Sequence, residues 1–392
     1  VRFMIRKFRS SNRPALTSFL DTACELFSLL RIGPWAKTPD IHTAMEQAMR
    51  ETKLTDWGAN TDYNFVKRYD LVRTVGLRKS GGRYSPIGEY YMLQALTKRM
   101  VCRLEFVDYI KKHPAITKID IKPPIFVVGF TRTGTTFLHE MLGLNESVRM
   151  HYTWEQMAPT PECGAAEDLP TLKKDREHRY KKHKSHFDLM FNHIVSQNIQ
   201  SIHRIGYDEP EECTTPCSIE LPWAVTELPF NTFAIDEIAE FGAGEAFTYY
   251  RKFLQMMTWQ AEDRRDADFT WNLKCPFHLP YLQELYNEFP NATIVWTHRD
   301  PADCIASALS LYETLMCMSM EQHTVDKIKL GKAVMHYTKR SLEMAEKTIN
   351  QLGDKLHILH VRYADTVKTP KETCRRVYER AGLPFSDSYS SR

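Results

Sequence analysis

The sequence predicts an α/β fold with a central parallel sheet, a helical N-terminal region and a long helical insertion. Three observations predict it. Ile125 to Val128 form a short apolar run of β-branched and aromatic residues ending at Gly129, which suits a strand buried on both faces. Thr293 to His298 form a second such run. After the first run, Leu138, Met141 and Leu142 recur at helical spacing, and strand-helix alternation of this kind builds parallel sheets.

In chain order, residues 1–118 read as a helical region with polar connections around 32–40 and 76–86. Within it, Ala15 to Leu30 form an amphipathic helix broken by Asp21 and Glu25, which packs on the core or touches a membrane surface. The α/β core begins near Ile119 and occupies 119–392, with an insertion at about 151–268. The insertion carries basic stretches at Lys173–Lys174 and Lys181–Lys184, read as solvated helix faces. Its aromatic and methionine residues (Trp223, Phe230, Phe233, Phe247, Tyr249, Tyr250, Met256, Met257, Trp259) read mostly as core, with some lining an apolar pocket. Phe269 to Lys274 read as a strand, Cys275 to His278 as a turn, and Leu279 to Phe289 as a helix with Pro280 in its first turn. Asp300 is a good N-cap, Pro301 a good first helical residue, and Asp303 stands third, as in a capping box. Residues 356–361 and 370–381 supply a last strand and helix.

The loop after Ile125–Val128 carries the chemistry. Gly129 and Gly134 have the spacing of the nucleoside-triphosphate loop G-x-x-x-x-G-K-[ST], and Thr136 holds its Ser/Thr place. Thr135 stands where that pattern has lysine, and the loop's cation is internal, at Arg132. Backbone N–H groups and a helix N-terminus there suit an anion, and a loop with its cation between the glycines suits a nucleotide with a single 5′-phosphoryl group. The alternative is a plain glycine turn with threonine caps. Arg299 sits at the C-terminal end of a strand, the edge where open parallel sheets bind ligands, and its fork geometry suits a phosphate.

These segments, in this order over roughly 120–385, resemble the sulfotransferases that use 3′-phosphoadenosine 5′-phosphosulfate (PAPS). The loop Phe130 to Phe137 is similar to their 5′-phosphosulfate loop; cytosolic members carry lysine at the Arg132 position and tryptophan at the Phe137 position, so the form here is closer to the broad bacterial and eukaryotic branch. Arg299 and Ser307 have the spacing of the arginine and serine that hold the 3′-phosphate. Leu273 to Pro280 resemble the segment with a catalytic lysine and histidine, here with a longer turn between Lys274 and His278. Val361 to Asp365, followed by Pro370, resemble the segment whose tyrosine, here Tyr363, lies near adenine. The resemblance implies a P-loop-type three-layer fold and sulfuryl transfer to a hydroxyl or amine of a small organic acceptor, without a metal.

On that basis His278 is the expected base, its place near a helix start favouring neutral imidazole. Arg132 and Lys274 are expected to stabilise charge on the leaving phosphate, and Thr133, Gly134, Thr135, Thr136 and Phe137 to form the 5′ cradle. Each has a plainer alternative: a helix-cap histidine, a solvated lysine, an ordinary helical Ser307, a core Tyr363. Tyr207 to Cys213 is strongly acidic; Asp208, Pro210 and Glu211 read in the first place as a helix start, with Glu212 near the acceptor as the other possibility. His151 to Glu155 either line the acceptor pocket, with Glu155 the second candidate base, or form a buried tryptophan with a nearby acid. A nucleotide kinase or a catalytically silent nucleotide binder are the competing functions; Thr135 in the lysine place argues against the first.

Composition bounds the rest. The 392 residues, 43% hydrophobic, can bury a large core. A net charge of +3 gives no general attraction to nucleic acid or membrane, so phosphate affinity has to come from local arginines. The nine scattered cysteines lack paired spacing and suit a reducing cytosol. No apolar run is long enough to span a membrane. The chain starts at Val1, which leaves room for a targeting segment upstream, and a homodimer is compatible with the sequence.

Overall fold

Five short strands form one parallel sheet: β1 (Ile125–Val128), β2 (Val148–Arg149), β3 (Thr270–Lys274), β4 (Thr293–His298) and β5 (Ile358–Arg362), in the order β2-β3-β1-β4-β5. The computed structural model describes residues 40–58, 64–162, 168–193, 205–220, 228–261 and 269–385. The helices are α1 (Ile41–Thr52), α2 (Asn64–Ser80), α3 (Pro86–Lys112), α4 (Thr135–Leu142), α5 (Thr153–Met157), α6 (Leu169–His193), α7 (Thr214–Cys217), α8 (Leu228–Phe233), α9 (Ile235–Phe241), α10 (Gly244–Trp259), α11 (Leu282–Glu288), α12 (Pro301–Ser319), α13 (Lys327–Leu352), α14 (Tyr363–Lys368) and α15 (Pro370–Ala381).

Strand alternation sorts the central strand into two cores. Ile125 and Val127 join Val295 and Val361 beneath α4 and α15, through Leu138, Leu142, Val377 and Tyr378. Phe126 and Val128 face the other way, into a larger core with Leu273, Ile294, Phe247 and Phe253. The result is a mixed α/β fold with helices on both faces of a parallel sheet. The N-terminal helices share the larger core: Val72, Val75, Phe106 and Tyr109 pack in the same cluster as Phe230 and Phe233. The amphipathic stretch Ala15 to Leu30, and Trp223, lie outside the described residues.

Register brings the strand ends together. Val127 pairs with Lys274, Val128 with Trp296, and His298 with Arg362. Gly129, Lys274, Arg299 and Tyr363 therefore emerge along one edge of the sheet. Asp300 caps α12 through Ala302 N at 2.8 Å, with Pro301 in its first turn, as expected. The helix after Lys274 begins later than expected: Pro276–Tyr281 is a 3₁₀ helix containing Pro280, and α11 starts at Leu282.

One element differs in kind. Tyr207 to Glu212 is not a helix start; the helix that follows is Thr214–Cys217. The segment instead pairs with residues 151–154: Thr153 N donates to Glu209 O at 3.0 Å, Trp154 N to Tyr207 O at 3.2 Å and Glu211 N to His151 O at 3.2 Å. Backbone bonds to a distant segment outweigh the capping pattern here. They also leave Glu211 and Glu212 at the sheet edge.

Candidate active site

A cavity of about 440 Å³ opens at the C-terminal edge of the sheet, against the loop 129–136. The loop takes its shape from two glycines with positive φ, +151° at Gly129 and +87° at Gly134. A Cβ on Gly129 would lie 2.4 Å from Thr297 Oγ1, and one on Gly134 2.7 Å from Tyr363 Cδ2, so both positions exclude a side chain on space as well as conformation. Arg132 also has positive φ, +78°. A non-glycine residue held there marks a backbone fixed by its surroundings. Thr133 supplies the fixing: its hydroxyl donates to Phe130 O at 2.7 Å and lies 2.7 Å from Thr297 Oγ1.

That geometry divides the expected cradle. Thr133 is buried and its N–H bonds Phe130 O at 3.2 Å, so it anchors the loop rather than facing a ligand. Gly134, Thr135, Thr136 and Phe137 line the cavity, at the start of α4. The first N–H groups of a helix have no intrahelical partner, so this turn offers donors to an anion. These residues fit a nucleotide 5′-phosphate.

Arg132, Arg299, Ser307 and Tyr363 form a second group. Arg132 Nε donates to Ser307 Oγ at 3.0 Å, and Arg299 Nη1 donates to Arg132 O at 3.3 Å. The Arg299 guanidinium lies 4.6 Å from the centre of the Tyr363 ring, a cation–π contact. Arg132 thus engages the α12 serine beside Arg299, a different pairing from the one expected with Lys274. Two arginines, a serine hydroxyl and an aromatic face in one place fit a second phosphate with a base close by.

Lys274 and Glu212 form the third group. Lys274 Nζ donates to Glu212 Oε1 at 2.7 Å and to Thr136 Oγ1 at 3.3 Å. Burial works against the lysine's charge, but Glu212 and then Glu211 outweigh it and raise its pKa, so it is a cation. Glu211, Glu212, Thr214 and Thr215 line the cavity beside it. The remaining walls are largely apolar: Met157, Phe187, Ile205, Phe277, Leu311 and Leu315.

His278 is elsewhere. It is 0% exposed, does not line the cavity, and packs with Phe126, Phe247 and Tyr250 at ring-centre distances of 5.6, 5.2 and 6.3 Å. Burial, with a small contribution from His151, pushes its pKa down to about 3. The imidazole expected to take the acceptor proton thus lies in the core: the longer turn after Lys274 folds as a 3₁₀ helix and carries it there. Glu155, the second candidate base, is engaged by donors on its own side of the fold. It accepts from Arg149 at 2.8 Å, Arg176 at 2.9 Å and Tyr152 N at 3.0 Å. Burial would raise its pKa, but the two arginines together hold it below the usual carboxylate range. None of the described aromatic and methionine residues singled out between Phe230 and Trp259 lines the cavity; they are core. Its walls come from α12, the 3₁₀ turn and single residues such as Met157, Phe187 and Ile205, which carry no local sequence signal.

A model of the sulfotransferase family matches residues 123–387. The ω-hydroxy-β-dihydromenaquinone-9 sulfotransferase Stf3 of Mycobacterium bovis is 26% identical over 274 residues, 69% of this chain, and the match from Mycobacterium tuberculosis has the same figures. The chain spans about 65% of the length of these curated relatives. Among solved structures, sulfotransferase STF9 from Mycobacterium avium superposes with a TM-score of 0.74 at 22% identity, over 90% of this chain and 86% of the other. Sulfotransferase STF1 from Mycobacterium tuberculosis gives 0.69 at 23% identity, over 89% and 90%. These two share the fold.

Proposed function

This chain belongs to the sulfotransferase family, and we propose that it transfers the sulfuryl group of PAPS to a hydroxyl or amine on a small, largely apolar acceptor. The observation that carries this is Lys274. Its ammonium bonds both the Thr136 hydroxyl of the phosphate loop and the Glu212 carboxylate of the acceptor side.

PAPS, when bound, supplies a sulfuryl group on a phosphate leaving group. The first turn of α4, with the Thr135 and Thr136 hydroxyls, holds the 5′-phosphate. Arg299, with Arg132 and Ser307, holds the 3′-phosphate, and the Tyr363 ring lies beside the base. Lys274, reaching the loop through Thr136, places positive charge where the bridging oxygen becomes negative, which is where sulfuryl and phosphoryl transfer need it. Glu212 takes the proton of the acceptor hydroxyl as that oxygen attacks. Apolar walls hold the acceptor body and keep water from competing. The name of the mycobacterial relatives suits an acceptor of this type, a hydroxyl on an apolar body. The seven described cysteines are buried and unbridged, which fits a reducing cytosol. No described helix is long and apolar enough to cross a membrane.

The test is a screen of apolar aliphatic and aromatic alcohols and amines with radiolabelled PAPS, beside thermal shifts with 3′-phosphoadenosine 5′-phosphate and with ATP–Mg²⁺. Label transfer to at least one apolar acceptor, and a larger shift with the bisphosphate, are expected. Tighter binding of ATP–Mg²⁺ with no sulfuryl transfer overturns the proposal in favour of a kinase.

A further inference from the structure

Behind Glu212 and Lys274 runs a buried chain of hydrogen bonds whose direction is fixed. Gln156 Nε2 lies 3.0 Å from Glu212 O and 2.6 Å from His151 Nδ1. A carbonyl oxygen only accepts, so the side-chain group facing Glu212 is the NH₂, and its second proton goes to His151 Nδ1. The imidazole proton then sits on Nε2 and donates to Tyr250 Oη at 2.9 Å. Tyr250 in turn donates to Cys213 Sγ at 3.0 Å. The ring closes through the Glu212–Cys213 peptide itself, whose Cys213 N donates to Lys274 O at 2.9 Å.

Every member is sealed from water: His151 is 1% exposed, Gln156 4%, and Tyr250 and Cys213 0%. Burial holds His151 down to about 4, raises Cys213 to about 12 and raises Tyr250 well above its ordinary value. All three stay neutral at working pH, so the donors do not reverse. The chain grips the Glu212–Cys213 peptide on both sides, at the Glu212 carbonyl and at the Cys213 thiol. Those two residues join Lys274 by its ammonium and by its carbonyl.

We infer that Gln156 and His151, with Tyr250, are positioning residues for sulfuryl transfer: they fix the 212–213 peptide so that the Glu212 carboxylate stays beside Lys274 at the acceptor's hydroxyl. This rests on the reading that Glu212 takes the acceptor's proton. Gln156 is suited because two donors leave one nitrogen in different directions, which leucine, of similar size, does not provide. A carboxylate that drifts by about 1 Å costs on the order of a hundredfold in rate.

The test uses the full chain, the best acceptor of the screen above, and four variants: Gln156→Leu, Tyr250→Phe, Glu212→Gln, and Gln156→Leu combined with Glu212→Gln. Gln156→Leu is expected to lower kcat roughly 10–100-fold. Its Kd for 3′-phosphoadenosine 5′-phosphate should stay within about twofold, because the phosphate groups are held elsewhere. Tyr250→Phe, which removes only the far link, should lower kcat less, and serves alone if Gln156→Leu does not fold. In the double variant, loss of Gln156 should cost almost nothing further, since the group it positions is gone. A merely structural role would leave the two losses additive, and that additivity overturns the inference, as does a wild-type kcat in Gln156→Leu. Should Glu212→Gln itself keep a wild-type kcat, the base assignment fails and the inference with it. A dead Glu212→Gln beside a fully active Gln156→Leu sinks the clamp alone.

Discussion

Lys274 Nζ lies between two partners, 2.7 Å from the Glu212 carboxylate and 3.3 Å from the Thr136 hydroxyl. One cation therefore touches the phosphate loop and the acidic segment at once. Its own strand pairing, to Val127 of β1, sets that position.

Substitutions around this pair should separate its roles. Glu212→Gln is expected to lower kcat by roughly 10²–10⁴-fold, the usual span for lost general-base catalysis, with bisphosphate affinity nearly unchanged. Lys274→Met should lower both, because the lysine also adjoins the 5′ cradle. His278→Phe should keep kcat, since the imidazole lies among Phe126 and Phe247 off the cavity. Steady-state kinetics with calorimetric binding of 3′-phosphoadenosine 5′-phosphate checks all three. An inactive but folded His278→Phe would return the base to the histidine.

Arg299 is predicted to read the 3′-phosphate. Arg299→Ala should weaken 3′-phosphoadenosine 5′-phosphate binding by roughly 2–3 kcal/mol, in the range for a charge-assisted hydrogen bond. The analogue without a 3′-phosphate should lose far less, through the bond from Arg299 to Arg132 O that steadies the loop and the contact with the Tyr363 ring. Equal losses for the two ligands would show that Arg299 shapes the loop and does not select the phosphate.

Much of this was legible in the chain because it is encoded locally. The β1 run, the glycine spacing and the Asp300–Pro301 cap each depend on neighbouring residues, and each stands where expected. The helix start expected at Asp208 and the surroundings of His278 were not legible, because their settings are not local. The pattern Asp208-x-Pro210-Glu211 satisfies a helix start, yet its backbone groups pair with residues 151–154, supplied by a distant segment. His278 follows a strand end as a catalytic base would, but Phe126 and Phe247, far off in sequence, close over it.

Gly134 gives a prediction independent of charge. Its φ of +87° strains any L side chain, and a Cβ would meet Tyr363 Cδ2 at 2.7 Å. Gly134→Ala should raise the Kd for 3′-phosphoadenosine 5′-phosphate more than about tenfold, since left-handed backbone alone costs about 1–2 kcal/mol for a Cβ-bearing residue. Adding Tyr363→Ala relieves the contact but leaves the backbone strained and removes the ring proposed beside the base, so affinity should not recover. Gly244→Ala, whose Cβ would meet nothing within 4 Å, is the control and should bind as wild type.

The last prediction concerns acid. His139, His151 and His278 are buried, and burial is the leading cause that lowers them to about 3, about 4 and about 3. The folded state keeps them neutral, while in the unfolded chain they titrate near the ordinary value of 6.5. Below that value the unfolded chain binds protons that the folded chain refuses, so acid favours unfolding. Stability is therefore full above about pH 6.5 and falls as pH drops toward 4, before most carboxylates titrate. Each histidine adds a slope approaching about 1.4 kcal/mol per pH unit. Urea midpoints measured from pH 7.5 to 4.5 should show this fall, and His278→Phe should make it shallower by up to about 1.4 kcal/mol per pH unit. An unchanged slope in that variant would mean that His278 is protonated in the folded protein, and would overturn its assignment as a neutral core imidazole.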